Sequence, residues 1–169
     1  MRPALSRSRR NSAPNRRSGA DDPDAPQPNS LVVAASAVVA DERGRILMQR
    51  RADSGLWAVP GGAMEITESL ADAVVREVNE ETGYRIEITG LVGLYTDPRH
   101  IIAYDNGEVR RQFNICFTAR IVGGHLRASD ESTEVRWIEP EALDEHPMHH
   151  TQRLRLRHYL QRRNEPYMG

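Results

Sequence analysis

The pattern of hydrophobic and polar positions divides the chain into two parts. Residues 1–30 hold almost no large apolar side chain, whereas 31–40 is a run of Val, Ala and Leu typical of a buried strand. A polar turn at 41–44 and the segment 45–51 predict a returning strand. Further strands are predicted just before Glu65, at 87–95, at 112–121 and at 134–138. The segment 96–109 predicts a long polar loop.

Two segments instead carry the period of a helix. Residues 68–82 predict one helix, with Thr67 as its N-cap and Gly83 as its C-terminal stop. Residues 151–163 predict a closing helix, and 140–145 a short helical turn. The apolar stripe of the first helix would contain Leu70, Ala71, Val74, Val75 and Val78, and the closing helix would bury Leu154, Leu156, Tyr159 and Leu160. This order of elements predicts an α+β fold with a mixed β-sheet covered on both faces.

Charge separates the same two parts of the chain. Residues 1–30 carry six Arg and three Asp, and therefore +3, which leaves −4 on the remainder of a chain whose net charge is −1. Such a polar, proline-rich segment predicts a disordered tail, and no apolar run follows its arginines as a secretory signal would require. The stretch 7–17 is either a contact for nucleic acid or another acidic partner, or a solvated tail.

Composition excludes several classes of protein. With 169 residues, 38% hydrophobic and 28% charged, the chain has the size of one globular domain. No apolar run approaches the roughly 20 residues of a membrane span, so no membrane association is expected. The single cysteine, Cys116, cannot form an internal disulfide, which predicts a cytoplasmic location. Because it lies in an apolar strand, we expect a small buried residue and not a nucleophile.

The first helix carries a group of acids beside its apolar stripe. At 100° per residue, Glu77, Glu80 and Glu81 fall within one arc of about 100°. Acids near a helix C-terminus oppose the macrodipole, and Glu77 and Glu81 form a like-charged i,i+4 pair. One interpretation is a solvated acidic face. The other is a site for Mg²⁺ or Mn²⁺, which prefer oxygen ligands and share them with substrate phosphates.

The spacing of these acids resembles a known family motif. Residues 62–84 read GAMEITESLADAVVREVNEETGY, which is similar to the Nudix box of the Nudix hydrolases over all 23 positions. The departure is Tyr84, where the family usually has Ile, Leu or Val. The preceding residues 56–62, LWAVPGG, also look like the strand that enters the box. The resemblance implies a Nudix-like α/β/α sandwich over residues 31–165, with a mixed sheet, a catalytic helix and a C-terminal helix.

The resemblance implies roles position by position. The residues that match the family's metal ligands are Gly61, through its backbone carbonyl, and Glu77, Glu80 and Glu81. Arg76 and Glu68 match a pair that supports those carboxylates, and such partners keep metal ligands productive. The general base is implied to be a helix glutamate or Glu131, which precedes the strand carrying Trp137. Glu131 is alternatively an additional metal ligand or a solvated loop acid.

The implied reaction is hydrolysis of a pyrophosphate bond in a nucleoside diphosphate derivative, with Mg²⁺ as cofactor and Mn²⁺ as a substitute. The substrate is expected to be a (deoxy)nucleoside triphosphate, normal or oxidised, or ADP-ribose. Arg51 and Arg99 are expected to contact phosphate, and Trp57 or Tyr104 to stack on a base. A surface Arg51 and a core Trp57 are the alternatives.

Other interpretations concern partners. An RNA-directed hydrolase would hold its polyanion through the Arg-rich tail, although the charge balance makes nucleic acid an unexpected partner. A non-catalytic nucleotide-sugar sensor is disfavoured by the intact box. Family members often form homodimers, so a dimer is an open expectation. His146, His149 and His150 suggest a transition-metal site, but we expect a solvated linker because no Cys or acid completes the ligand set.

Overall fold

The computed structural model describes residues 26–104 and 106–169. Most of the predicted tail therefore lies outside the described residues, but Asn29 already bonds to residues 107 and 109, and a strand begins at Ser30. The strands are β1 (Ser30–Val39), β2 (Ile46–Arg51), β3 (Trp57–Ala58), β4 (Gly61–Ala63), β5 (Tyr84–Tyr95), β6 (Ile101–Ala103), β7 (Val109–Gly124), β8 (Ser132–Ile138) and β9 (Tyr167–Met168). The helices are α1 (Leu70–Thr82), a 3-10 helix (Pro140–Glu145) and α2 (His150–Leu160).

The strands form two sheets, where the sequence predicted one. The larger has the order β4-β1-β7-β5-β9, with β6 also paired to β7, and the smaller has the order β3-β2-β8. In the larger sheet β1 and β7 run parallel and β5 and β7 antiparallel, which confirms the predicted mixed sheet. Among the described residues, no helix is long and apolar enough to cross a membrane.

The larger sheet is covered on both faces. Small side chains of β1, including Ala35 and Ala37, pack with Val74 and Val78 of α1 on one face. On the opposite face, Cys116 packs with Leu156 of α2. The smaller sheet adds residues to both clusters, so the two helices enclose the sheets as the α+β prediction required.

The helix boundaries correct two expectations. Helix α1 begins at Leu70 with Ser69 as its N-cap, and not at Glu68 with Thr67, because Ser69 and Asp72 form a reciprocal capping box. Gly83 adopts the left-handed conformation at the predicted C-terminal stop. Helix α2 ends at Leu160, which is exposed, so the prediction that it is buried was wrong. Ala71 is likewise exposed, and Ala73 occupies the buried stripe in its place.

The region after α1 holds more strand than predicted. The expected loop at 96–109 contains β6, which pairs with the first residues of β7. Strand β7 extends from Val109 to Gly124, beyond the predicted 112–121, because polar residues at both ends still find partners in β1 and β5. Strand β9 was not predicted; its Tyr167 packs against Tyr95 with ring centroids 5.1 Å apart.

Candidate active site

Two glycines open the edge of the larger sheet toward α1. Gly61 pairs with Ser36 of β1 at φ 149°, and a Cβ there would overlap the backbone of Ala35 and Ser36. A Cβ at Gly62 would overlap the carboxylate of Glu77. The absence of both side chains lets the acids of α1 reach this edge. We call Gly61, Gly62, Glu77, Glu80 and Glu81 the acidic notch.

Glu81 is the buried member of the acidic notch. Its side chain accepts a hydrogen bond of 2.8 Å from the backbone N–H of Gly61, and the residue is only 4% exposed. Burial raises the pKa of Glu81 to about 7, and the neighbouring Glu77 adds to the rise. Burial also raises the pKa of Glu77, against the effect of Arg76. The notch therefore concentrates carboxylates in a place where burial disfavours their charged forms.

Arg76 holds the outer carboxylates in place. It donates two hydrogen bonds to Glu68, of 2.7 and 3.0 Å, and one of 2.9 Å to Glu77. It also bonds to the exposed Glu80 at 3.0 Å and to the carbonyl of Ala63 at 3.2 Å. The Arg76 guanidinium lowers the pKa of Glu68 to about 2. The structure thus forms the pairing of Arg76 and Glu68 that the resemblance implied, and ties it to the notch.

A cleft of about 330 Å³ begins at the acidic notch. It lies on the α2 face of the larger sheet, and Gly61 and Gly62 belong to both features. Its polar lining includes the hydrogen-bonded pair Ser36 and Asn114, 2.9 Å apart. Further lining residues are Arg51, Trp57, His100, Gln112, His149, Gln152 and Arg155. A concave site of this size with converging polar groups suits a small-molecule ligand.

Arg155 is a buried charged residue of this cleft that the sequence analysis missed. It is 3% exposed, and within the described residues no carboxylate forms an ion pair with it. Its Nε has no hydrogen-bond partner there, and its guanidinium lies 5.4 Å from the ring centroid of Tyr95. Burial lowers its pKa. The available signal was an arginine flanked by Leu154 and Leu156 on a helix predicted to be packed.

Three other predicted residues lie at the cleft or the notch. Arg51 lines the cleft and pairs with Asp53 at 2.7 Å, and the charges of Glu81 and Glu131 contribute to raising its pKa against the effect of burial. Glu131 is exposed, and its charge also contributes to the raised pKa of Glu77, so it lies within electrostatic range of the notch. Trp57 is 5% exposed and packs in the core, as its alternative role required, and it also lines the cleft.

The two remaining predicted contacts lie elsewhere. Arg99 is absent from the cleft lining and binds the carboxylate of Asp97, with two N–O distances of 3.0 Å. Tyr104 is also absent from the lining, and the guanidinium of Arg110 lies 4.7 Å from its ring centroid. From this segment of the chain, His100, the residue after Arg99, does line the cleft.

The donors of the acidic notch suit a hard divalent cation. Carboxylates from one helix converge on a glycine-lined edge, and burial there raises the pKa of both Glu77 and Glu81, so a bound cation would favour their charged forms. Oxygen ligands favour Mg²⁺ and Mn²⁺ over softer metals. The residues present therefore fit such an ion.

Comparison with known proteins places this chain in a family. The family model described as NUDIX domain matches residues 30–160. The chain belongs to the Nudix family and is a Nudix pyrophosphohydrolase by class.

Individual relatives agree with the family assignment. A MutT-like protein of Streptomyces ambofaciens is 40% identical over 114 residues, covering 67% of each chain. A putative 8-oxo-dGTP diphosphatase of Bacillus subtilis is 33% identical (64% of this chain, 67% of the relative). An ADP-ribose pyrophosphatase of Methanocaldococcus jannaschii is 30% identical (63% and 61%). The matches thus span 61–67% of these relatives' lengths.

Solved structures agree on the fold. A NUDIX hydrolase from Nitrosomonas europaea superposes with a TM-score of 0.68 at 25% identity, covering 86% of this chain and 79% of that one. A MutT NUDIX hydrolase from Burkholderia pseudomallei superposes with a TM-score of 0.62 at 26% identity, covering 77% and 98%.

Proposed function

We propose that the protein hydrolyses a pyrophosphate bond of a nucleoside diphosphate derivative, using Mg²⁺ or Mn²⁺ held by Glu77, Glu80, Glu81 and the backbone carbonyl of Gly61. The observation that carries the proposal is the buried carboxylate of Glu81 at Gly61, where the acidic notch meets the cleft. When bound, the cation would offset the charge of the phosphate oxygens and make water a better nucleophile.

The chain's own residues have distinct tasks in this proposal. Arg76 holds Glu77 and Glu80 in position while its other bonds lock it to Glu68. Arg51 at the cleft wall attracts a phosphate. The proton of the attacking water passes to a carboxylate within hydrogen-bond reach, either Glu77 or Glu131. Glu131 is exposed, so a proton that it accepts can pass on to solvent.

The cleft supports a nucleotide as substrate. Trp57 offers an aromatic surface, and the side chains of Asn114, Gln112 and Gln152 offer hydrogen bonds to a base or ribose. The guanidinium of Arg155, for which the described residues supply no carboxylate, offers a cationic contact to the same ligand. We propose a (deoxy)nucleoside triphosphate, normal or oxidised, or ADP-ribose. The names of the relatives from Bacillus subtilis and Methanocaldococcus jannaschii support these two substrate classes.

A substrate panel tests the proposal. Purified full-length protein with Mg²⁺ or Mn²⁺ is offered normal and oxidised nucleoside triphosphates, ADP-ribose, nucleotide-sugars and 5′-triphosphorylated RNA, and the products are identified by mass. We expect hydrolysis of a small nucleotide that stops on addition of a chelator. Turnover of RNA alone, with a steep dependence on salt, would support the RNA-directed interpretation instead. Binding of nucleotide-sugars without turnover would support the sensor.

The base is identified by a second comparison on the substrate found. Glu131→Gln should lower kcat by about 10²-fold or more if Glu131 accepts the proton, and leave the affinity for Mg²⁺ unchanged. Glu134→Gln, in the following strand, is the matched control. Unchanged kcat in Glu131→Gln would assign the proton transfer to Glu77.

A further inference from the structure

Three histidines converge beside the cleft, and two of them, His100 and His149, line it. His100 comes from the segment between β5 and β6, His149 is the N-cap of α2, and His150 is the first residue of α2. One ring nitrogen of each residue lies within 4.8 Å of those of the other two. The ring centroids are 4.2 Å apart for His149 and His150, 5.3 Å for His100 and His149, and 6.3 Å for His100 and His150. We call these residues the histidine cluster.

The third member of this cluster is not the one that the sequence suggested. His146 lies with its ring 5.1 Å from that of Trp57, in an edge-to-face arrangement, and its Nδ1 lies 2.8 Å from the carbonyl oxygen of Ala142. It therefore belongs to the packing beneath the 3-10 helix. The partner of His149 and His150 is His100, 49 positions earlier in the chain.

We propose that His100, His149 and His150 form a binding site for a divalent transition-metal ion of the Zn²⁺ class, separate from the Mg²⁺ site. Imidazole nitrogens favour Zn²⁺, Ni²⁺ and Cu²⁺, whereas the carboxylates of the acidic notch favour Mg²⁺. With Zn–N bonds of about 2.0–2.1 Å, tetrahedral ligands lie about 3.4 Å apart. The cluster reaches that spacing by moving its nitrogens little more than about 1 Å, within the reach of side-chain rotation.

The surroundings of His149 orient its ring for such a role. Its Nδ1 lies 2.9 Å from the hydroxyl of Thr151, which can accept a hydrogen bond from a protonated Nδ1. In that tautomer Nε2 carries the lone pair that a metal needs, and a hydrogen bond to the second ring nitrogen is the usual support of a ligating histidine. The competing bond from the backbone N–H of Thr151 is long, at 3.4 Å, so little is lost when it breaks.

The position of the histidine cluster determines how an ion would reach it and what binding would do. His150 is exposed, so an ion enters from solvent, and three protein ligands leave a fourth position for water. His100 and His149 both line the cleft, so an ion joining them ties the β5–β6 segment to the start of α2. Metal binding should therefore stabilise the fold, in the way that any ligand specific to the native state does.

Calorimetry with ZnCl₂ tests the site. The protein used is the full-length Glu77→Gln, Glu81→Gln variant, so that the acidic notch contributes little to Zn²⁺ binding. We expect one Zn²⁺ per chain, a rise in Tm, and persistence of both in excess Mg²⁺. Adding His100→Gln or His150→Gln should weaken binding at least tenfold and remove the rise in Tm. The control is His125→Gln, an exposed histidine outside the cluster.

The outcomes separate the site from general effects on folding. His150→Gln changes an exposed side chain, so its Tm without metal should equal that of the parent protein. Bound Co²⁺ should show the visible absorption typical of a four-coordinate site. This absorption should be absent from the His100→Gln and His150→Gln variants. Absence of Zn²⁺ uptake, or uptake that survives both histidine substitutions, would overturn the proposal. Neither result bears on the hydrolase activity proposed above.

Discussion

The two faces of the larger sheet carry buried groups of opposite charge. On the α1 face, Glu77 and Glu81 gather negative charge at the glycine-lined edge, and burial raises their pKa values. On the α2 face, Arg155 is a buried cation for which the described residues supply no carboxylate. Burial disfavours the charged form of the groups on both faces, and a metal–nucleotide complex would bring a cation to the carboxylates and an anion to Arg155. The cleft, which joins the acidic notch to Arg155, is therefore a suitable place for such a complex.

The largest test of this comparison removes the charge of Glu81. Glu81→Gln should lower kcat/KM by about 10³-fold, because the buried carboxylate at Gly61 can no longer hold the cation. The measurement is steady-state kinetics on the substrate found in the panel, at saturating Mg²⁺. Glu87→Gln is the control, since Glu87 pairs with Arg120 on the exposed surface. Full turnover by Glu81→Gln would remove the acidic notch from the mechanism.

The same residue should make the stability of the metal-free protein fall as the pH rises from about 4.5 to about 7. Because the folded pKa of Glu81 is about 7 and its ordinary value is 4.5, the folded state favours the protonated form. That contribution to stability is fully present below about pH 4.5 and is lost as the pH rises through 7. It amounts to about 3 kcal/mol. In a chelator, Glu81→Gln should therefore unfold at higher denaturant concentration than the parent at pH 8, and at nearly the same concentration at pH 4.5.

Saturating Mg²⁺ provides the control for the pH effect. It should restore the stability of the parent at pH 8 and leave Glu81→Gln nearly unchanged. If parent and variant lost stability in parallel between pH 5 and 8, Glu81 would not be the group responsible.

The two faces also differ in how far the sequence predicts them. The roles on α1 follow from helical spacing within 23 residues, because Glu68, Arg76 and the three glutamates lie on one helix and the loop before it. The α2 face depends on long-range contacts. His100 meets His149 where β6 returns along β7, and the flanking Leu154 and Leu156 are the local feature that distinguishes Arg155 from the other arginines of its helix.

Local competition accounts for the other differences. Ser69 took the N-cap from Thr67 because Asp72 completes its capping box, while Glu68 is engaged by Arg76. Arg99 was expected to contact phosphate, whereas in the structure its guanidinium pairs with the carboxylate of Asp97, two positions earlier. Such outcomes depend on distances that a pattern of residue types does not contain.

A charge-removing substitution at Arg155 sharpens the comparison from the other face. Arg155→Met should lower kcat/KM by about 10- to 100-fold, since a hydrogen bond to a charged group contributes about 1.5–3 kcal/mol. The loss should appear mainly in KM, whereas Tm should stay equal or rise because a buried unpaired charge is gone. Arg155→Lys, which keeps the charge, should recover part of the affinity. Unchanged KM with a lower Tm would show that Arg155 serves packing against Tyr95.

The smallest expected effect concerns how the notch is held. Arg76→Lys keeps the positive charge, but one ammonium cannot bind both oxygens of Glu68 and also reach Glu77. We expect about a tenfold weaker affinity for Mg²⁺ and a similar fall in kcat/KM, as for other groups that orient metal ligands. Arg120→Lys at the surface pair with Glu87 is the control and should change neither. If Arg76→Lys lowered Tm but left Mg²⁺ affinity intact, the hydrogen bonds of Arg76 would stabilise the loop before α1 without positioning the carboxylates. In that case the positive charge at position 76, and not its hydrogen-bond geometry, would determine the affinity of the notch for Mg²⁺.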